Sequence, residues 1–411
     1  MHLQPRLGFI LACIFLDALG VGLIVPVLPR LIGTLTETSD AQTLWYGALM
    51  VSYGLMQFVS SPLLGALSDR VGRRPVLLGG IFGLGLMFAV PAFSTSLWLI
   101  LASRIIGGML SANMAVAQAY IADITAPNDR AAGFGKIGAV FGIGFVIGPA
   151  LGGVLGAHNP ALPFMVAACV CLANFAYGLF VLPESLAKKE TRPMSLKLNN
   201  PLRSIADLLD VSENRLFVFT LLLASITTGL TQCTWALYTE YRYGFTPLEI
   251  GLSVFALGLS ISFVQGVLLQ RALTRFEPDT ITKTALAVGC LALLGIALTP
   301  NGLSAAVLFC FFTVSGAVSP LLTSLISRRT PMTKQGKTIG ALTSLNSLTG
   351  VFAPILGTPL LMATAKHQKD FLGGLPYFAC ALLLLSALIL FTVRLRRIKA
   401  QDVVRLPLDE D

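Results

Sequence analysis

Apolar residues run along this chain in blocks, and each block ends at a short polar or Gly/Pro-marked break. The blocks approach the ~20 residues that a helix needs to cross a ~30 Å hydrocarbon core. Twelve are legible, at 7–29, 44–66, 75–92, 97–121, 133–156, 162–183, 216–240, 248–270, 281–299, 303–326, 337–362 and 374–394. A segment in lipid must satisfy its own backbone, so each block predicts a helix. The expected fold is an all-α integral membrane protein of twelve transmembrane helices, six in each of two pseudo-symmetric halves.

The longest polar stretch, Pro183 to Arg215, sets the expected organisation: an N-terminal six-helix half over 1–183, a cytoplasmic linker over 184–215, a C-terminal half over 216–394 and a cytoplasmic tail over 395–411. The halves read as diverged copies. Gly65-Ala-Leu-Ser-Asp-Arg70 after the second helix parallels Gly266-Val-Leu-Leu-Gln-Arg271 after the eighth, and Gly148-Pro149-Ala-Leu-Gly-Gly153 parallels Ala353-Pro354-Ile-Leu-Gly-Thr358. Repeated halves with a site between them near the midplane are the architecture of alternating-access carriers; chance likeness between Gly-rich helices is the other reading.

Composition agrees with lipid as the solvent. Only 12% of residues are charged and 55% are hydrophobic, against roughly 25% charged in an ordinary soluble domain. The net charge of +9 reports topology rather than nucleic-acid binding. With both termini cytoplasmic, 24 of the 29 basic residues fall in cytoplasmic segments, four outside (Arg30, Arg242, Lys366, Lys369) and one, Arg104, within a helix. Arg394, Arg396, Arg397 and Lys399 are placed to touch anionic headgroups. The seven cysteines lie in apolar segments without paired spacing, and His2, His158 and His367 form no ligand set, so neither disulfide, metal nor cofactor is expected. The first block carries Asp17 and lacks a small-residue cleavage site, which predicts a retained helix rather than a signal peptide.

Charge inside a span marks the candidate chemistry, because it costs about 2.5–3.5 kcal/mol even on the lenient insertion scale. Of the twenty acidic residues only Asp17 lies deep, some ten residues or ~15 Å into the first helix. Such a carboxyl is suited to bind and release a proton as its surroundings alternate between wet and dry; a structural Asp bonding backbone near the following glycines and prolines is the alternative. Arg104, ~10 Å from the outer end of the fourth helix, lies near the same level. It is read either as a partner whose pairing protonation of Asp17 weakens, or as a structural ion pair or an anion-binding group.

The basic loop Ser68-Asp69-Arg70-Val-Gly72-Arg73-Arg74-Pro75 concentrates charge where two helices meet water. Asp123, at the cytoplasmic end of the fourth helix, is expected to pair with Arg73 and, with Asp69, to latch the inner face. In the fifth helix, Gly144, Gly148, Pro149, Gly152 and Gly153 offer a small-residue face for close helix contact between halves. Tyr53, Gln57, Asn113, Gln118, Gln232, Trp235, Tyr238, Gln265 and Asn346 are the remaining pocket candidates, each of which also suits a bond to a neighbouring helix. Trp45 and Trp98 read as interface anchors.

These segments carry a resemblance. Leu16-Asp17-Ala-Leu-Gly-Val-Gly-Leu-Ile-Val-Pro-Val-Leu-Pro29, the loop from Gly65 to Arg74, Arg104-Ile-Ile-Gly-Gly108, Gly144 to Gly153 and Thr239-Glu240-Tyr-Arg242 are similar, in order and in helix position, to the major facilitator superfamily. The likeness is to its twelve-helix drug/proton antiporters and most closely to the tetracycline/proton antiporter group. The resemblance implies that Asp17 and Arg104 take part in proton coupling, and Asp69, Arg73 and Asp123 in the cytoplasmic latch. The chain departs from that group where an acid in the third helix, a His in the eighth and an Asp in the ninth are missing, while Gln265 is kept. Those losses argue against a metal–tetracycline chelate and leave another drug, a metallophore or a metabolite.

The expected function is export of a small molecule in exchange for protons by a multi-pass protein of the bacterial inner membrane, acting as a monomer among lipids. An importer or facilitator with the same fold is the alternative. No nucleophile and base pair, HExxH or phosphate loop points to an enzyme.

Overall fold

In the computed structural model of the protein, residues 7–111, 113–125, 130–186, 215–328, 335–368 and 370–404 are described. His2, Lys369, most of the expected linker and the end of the tail lie outside them, as do the side chains of Asn346, Arg396, Arg397 and Lys399. Among the described residues, twelve helices are long and apolar enough to cross a membrane. We number them α1 (Leu7–Ile24), α2 (Ser39–Val71), α3 (Arg73–Phe93), α4 (Leu97–Ile124), α5 (Arg130–His158), α6 (Leu162–Val181), α7 (Arg215–Tyr243), α8 (Pro247–Leu273), α9 (Pro278–Leu298), α10 (Gly302–Ile326), α11 (Gln335–Lys366) and α12 (Leu375–Val404). Every predicted crossing is present.

The edges differ where local chemistry overrides hydropathy. The first crossing, expected over 7–29, stops at Ile24 in a turn around Pro26 and resumes as a short helix, Leu28–Gly33. The second starts earlier than expected because Thr38 caps it, its hydroxyl accepting the Ala41 N–H at 3.2 Å. α8 opens with a capping box: the Thr246 N–H donates to the Glu249 carboxylate at 2.8 Å and the Glu249 N–H donates back to Thr246 at 3.4 Å. The ninth begins at Pro278 rather than 281, so Asp279 belongs to its first turn. Three spans are not uniform α-helix. α4 breaks at Ser111 between Leu97–Leu110 and Asn113–Ile124, α8 contains a π segment over Val264–Leu268, and α10 a 3-10 segment over Thr313–Ala317.

Many hydroxyls in the spans find partners within their own helix. In α7 the side chains of Thr220, Thr227, Thr228 and Thr234 each donate to the carbonyl four residues earlier at 2.7–3.0 Å, which satisfies them without water.

Two compact units are distinguished, Met1–Leu198 with Trp235–Leu259, and Asn199–Thr234 with Ser260–Asp411. In the first, α1 lies between α5 and α6, α3 packs on α6, and α2 on the first piece of α4. A buried apolar cluster of Ile10, Cys13, Ile14, Leu77, Val116, Tyr120, Ile121 and Ile137 joins α1, α3, α4 and α5. In the second, α9 packs against α12 and α10. Residues of α7 and α8 count with the first unit because the fifth helix grips α8. A Cβ on Gly251 would be 3.0 Å from the Gly153 Cα, so the two backbones touch.

Candidate functional site

The Asp17 carboxyl projects from the middle of α1 into a cavity of about 340 Å³ within the first unit. Most of the wall is apolar: Ile10, Ile14 and Val21 of α1, Leu77, Ile81 and Leu84 of α3, Phe141 of α5. Polar groups come from Tyr53 and Gln57 of α2 and from Ser111 and Asn113 at the break in α4. Among these lining residues Asp17 alone is formally charged. It is half-buried, and its Oδ1 accepts a hydrogen bond from the Asn113 Nδ2 at 3.3 Å. The interrupted helix matters here, because the free Ser111 carbonyl accepts from the Gln57 amide at 3.5 Å.

Arg104 does not pair with Asp17. Its guanidinium sits 5.7 Å from the centroid of the Tyr53 ring, and its Nε and Nη2 are buried without a hydrogen-bond partner. The expected direct ion pair is thus replaced by a cation over the face of Tyr53, a residue that itself lines the cavity with Asp17.

The basic loop forms a compact cluster. Arg73 reaches Asp69 at 2.6 Å and Asp123 at 3.0 Å, and its Nη1 donates to Ser68 at 2.6 Å. Only 9% of the Arg73 side chain is exposed, against 41% for Asp69 and 21% for Asp123. The local geometry depends on Gly72, whose φ of +121° few residues with a Cβ adopt. This cluster includes a residue absent from the predicted set. Glu184, just past α6, accepts the backbone N–H groups of Arg73 at 2.9 Å and Arg74 at 3.2 Å, capping α3, and those of Ser185 and Leu186 as well. Its signal was the carboxylate in Pro183-Glu184-Ser185 next to a basic loop, but nothing local links it to a helix more than a hundred residues earlier.

The expected contact between halves is mostly a contact within one half: Gly144, Gly148 and Gly152 of α5 meet α1, and only Gly153 of the named glycines meets α8. A Cβ on Gly148 would be 2.8 Å from both the Leu19 carbonyl oxygen and the Gly22 Cα, and one on Gly144 2.7 Å from the Phe15 carbonyl oxygen. Gly152 faces the Leu23 backbone and Gly153 the start of α8. Pro149 completes the crossing, lying within 2.9 Å of a Cβ built on Gly22. Asn174 of α6, also not predicted, is fully buried and donates to the Cys13 carbonyl at 2.9 Å.

At the opposite end of α2 from the Arg73 cluster, Gln42 ties three segments. Its Nε2 donates to the Pro29 carbonyl at 3.0 Å and to Glu240 at 3.3 Å, while its Oε1 accepts from the Tyr241 hydroxyl at 3.1 Å. Thr43 lies 3.0 Å from the same hydroxyl.

Of the nine polar pocket candidates, Tyr53, Gln57 and Asn113 line the cavity. Gln118, Gln232 and Gln265 are exposed elsewhere, the last within the π segment of α8. Trp235 and Tyr238 are buried, Trp235 donating to Ser253 at 2.8 Å and Tyr238 meeting Tyr243 edge to face. The bulk of those two rings serves packing, which apolar surroundings reward irrespective of any ligand. Trp45 and Trp98 pack edge to face at 5.0 Å, with Trp98 exposed.

The tetracycline resistance protein of class C from Escherichia coli is 35% identical over 383 residues, covering 92% of this chain and 96% of that protein. Among solved structures, the human organic anion transporter MFSD10 (TETRAN) superposes with a TM-score of 0.66 at 24% identity, covering 94% of this chain and 100% of that one. The nucleoside transporter NupG superposes with a TM-score of 0.72 at 13% identity, covering 96% and 99%. The Major Facilitator Superfamily signature matches residues 10–354. Twelve apolar spans, a charged loop at the foot of α2, a glycine-faced α5 and these matches together place the chain in the Major Facilitator Superfamily, as a multi-pass membrane transporter.

Proposed function

We propose that this transporter is a proton-coupled antiporter that exports a small molecule, with both termini in the cytoplasm of a bacterial cell and Asp17 as the proton-carrying group. The observation that carries the reading is the lone carboxyl in the wall of a largely apolar cavity, deep within a span. An ionised side chain held there in a membrane is costly and calls for a function. Similarity to tetracycline resistance proteins supports export of a drug-like compound. The volume lies at the small end of the range for drug-sized pockets. Arg73, Asp69 and Asp123 form the latch that holds the inner face closed, and Arg104 tunes the site through Tyr53. The halves alternate access by rocking against each other.

The test combines cells and vesicles. Cells producing the protein are screened against a panel of antibiotics, dyes and metallophores, and any compound they resist is added to acidified inverted vesicles. Compound-dependent loss of the pH gradient that disappears in Asp17→Asn supports the reading. Undiminished proton flux in Asp17→Asn, or accumulation of the compound by intact cells, overturns it.

A further inference from the structure

The second piece of α4, Asn113–Ile124, has one end at the candidate proton site and the other at the latch. Asn113 is its first residue and touches Asp17; Asp123 is its penultimate residue and touches Arg73. Ten residue steps of helix separate them, a rigid length of ~15 Å. Above Asn113 the helix is interrupted at Ser111, so this piece is a separate helical segment from Leu97–Leu110.

Asn113 is also held in one orientation. A Cβ built on Gly80 of α3 would collide with its Oδ1, so that glycine makes the notch in which the amide oxygen lies. Nδ2 is thereby the group shown to Asp17. An amide N–H₂ only donates. It bonds an ionised carboxylate roughly twice as strongly as a neutral acid, and so distinguishes the two charge states of the group it touches. The other titratable groups facing Asp17 are Cys13 on its own helix, Cys171 of α6 and Tyr53 of α2, with Arg104 of α4 against the Tyr53 ring. α3 and α5 line the surrounding cavity with Leu77, Ile81, Leu84 and Phe141.

We propose that Asn113 is a positioning residue that senses the charge on Asp17, and that the half-helix Asn113–Ile124 relays this state to the Arg73–Asp123 pair. The proposal rests on Asp17 being the proton site. Ionised Asp17 holds Asn113, and with it the half-helix, in the place where Asp123 meets Arg73. Protonation weakens the grip, and the latch loosens as the half-helix shifts. Linkage makes the relation reciprocal: whatever frees the latch must also favour the protonated carboxyl.

The probe is the proton itself. The purified full-length protein in lipid nanodiscs is titrated while the infrared band of a protonated carboxyl is followed, the Asp17 component being the part lost in Asp17→Asn. Asn113→Leu, of the same branched shape but without a donor, should move the midpoint of that band to higher pH by about half to one unit, a three- to tenfold rise in proton affinity. Gly80→Ala, which keeps the amide but fills its notch, should move it the same way and covers the case in which Asn113→Leu does not fold. Asp123→Asn is the decisive arm. Removing a distant negative charge would lower proton affinity by simple electrostatics, whereas release of the latch through the relay raises it. An upward move in Asp123→Asn supports the proposal. An unmoved or lowered midpoint in Asp123→Asn overturns the relay, and an unmoved midpoint in the folded Asn113 and Gly80 variants overturns the sensing role. No titrating band assignable to Asp17 would instead overturn the proton-site reading of the previous section.

Discussion

The Glu184 carboxylate gathers four backbone N–H groups, two of them at the first turn of α3, where the helix dipole favours negative charge. Gly72 stands directly beneath it, with a φ that disfavours a Cβ and no room for one, since the added carbon would run into that carboxylate. Two substitutions therefore strike the same joint. Glu184→Ala removes a cap and should lower stability by about 1–2 kcal/mol. Gly72→Ala adds roughly 1–3 kcal/mol of backbone cost, because its φ of +121° with ψ of 153° is open essentially to glycine alone, and displaces the cap. Thermal unfolding in detergent checks both, and equal melting of Gly72→Ala and the parent would contradict the account. The sequence exposes one of these residues more readily than the other. A glycine inside a charged turn suggests a positive φ, whereas an acid at a helix exit looks like ordinary solvated surface until the fold brings α3 beside it.

Helix α5 shows that composition and position within an element are different kinds of information. Its glycines look alike along the sequence, yet those at 144, 148 and 152 meet the backbone of α1, while nothing lies within 4 Å of a Cβ added at Gly138 or Gly142. Gly142→Ala is accordingly expected to be neutral or to stabilise by up to ~1 kcal/mol through helix propensity. Gly148→Leu should force α1 and α5 apart and abolish both transport and the folded yield. Size-exclusion recovery and transport rate distinguish the two; a functional Gly148→Leu protein would show that the crossing is not tight. The same distinction separates the polar residues of the spans. Asn113 and Gln57 share a cavity because α4 breaks at Ser111, whereas Trp235 and Tyr238 turn into packing. Their residue types did not reveal which would do which.

Alternating access requires ties at each end of the transporter that form and break in turn. The Arg73 cluster lies at one end of α2, and the Gln42, Glu240 and Tyr241 network at the other. Arg73→Ala removes charge-assisted bonds to two carboxylates, each worth at most about 1.5–3 kcal/mol and less at the exposed Asp69. Gln42→Leu removes the amide that joins Pro29, Glu240 and Tyr241. The two substitutions should bias the carrier in opposite senses. In a background without the native cysteines, a Gln57→Cys reporter in the cavity wall should react faster with an impermeant thiol reagent from the Arg73 side in Arg73→Ala. In Gln42→Leu it should react faster from the other side. Faster labelling from the same side in both would contradict the assignment of two separate gates.

Hydropathy alone was sufficient for twelve spans, the membrane environment and the unusual status of Asp17, because the energy of putting a segment or a charge into lipid depends on that segment's own residues and length. Cap chemistry such as Thr246 with Glu249 is local in the same sense, its partners being three residues apart. Distance in sequence marks the limit. That Asp17 meets Asn113 rather than Arg104, that Glu184 caps α3, that Gln42 meets Tyr241 and that three of the eight polar candidates with described side chains share a cavity all depend on helices from remote stretches docking at a particular rotation and depth. Packing sets that rotation through backbone contacts such as Gly148 on Gly22, and no local property of either helix contains it.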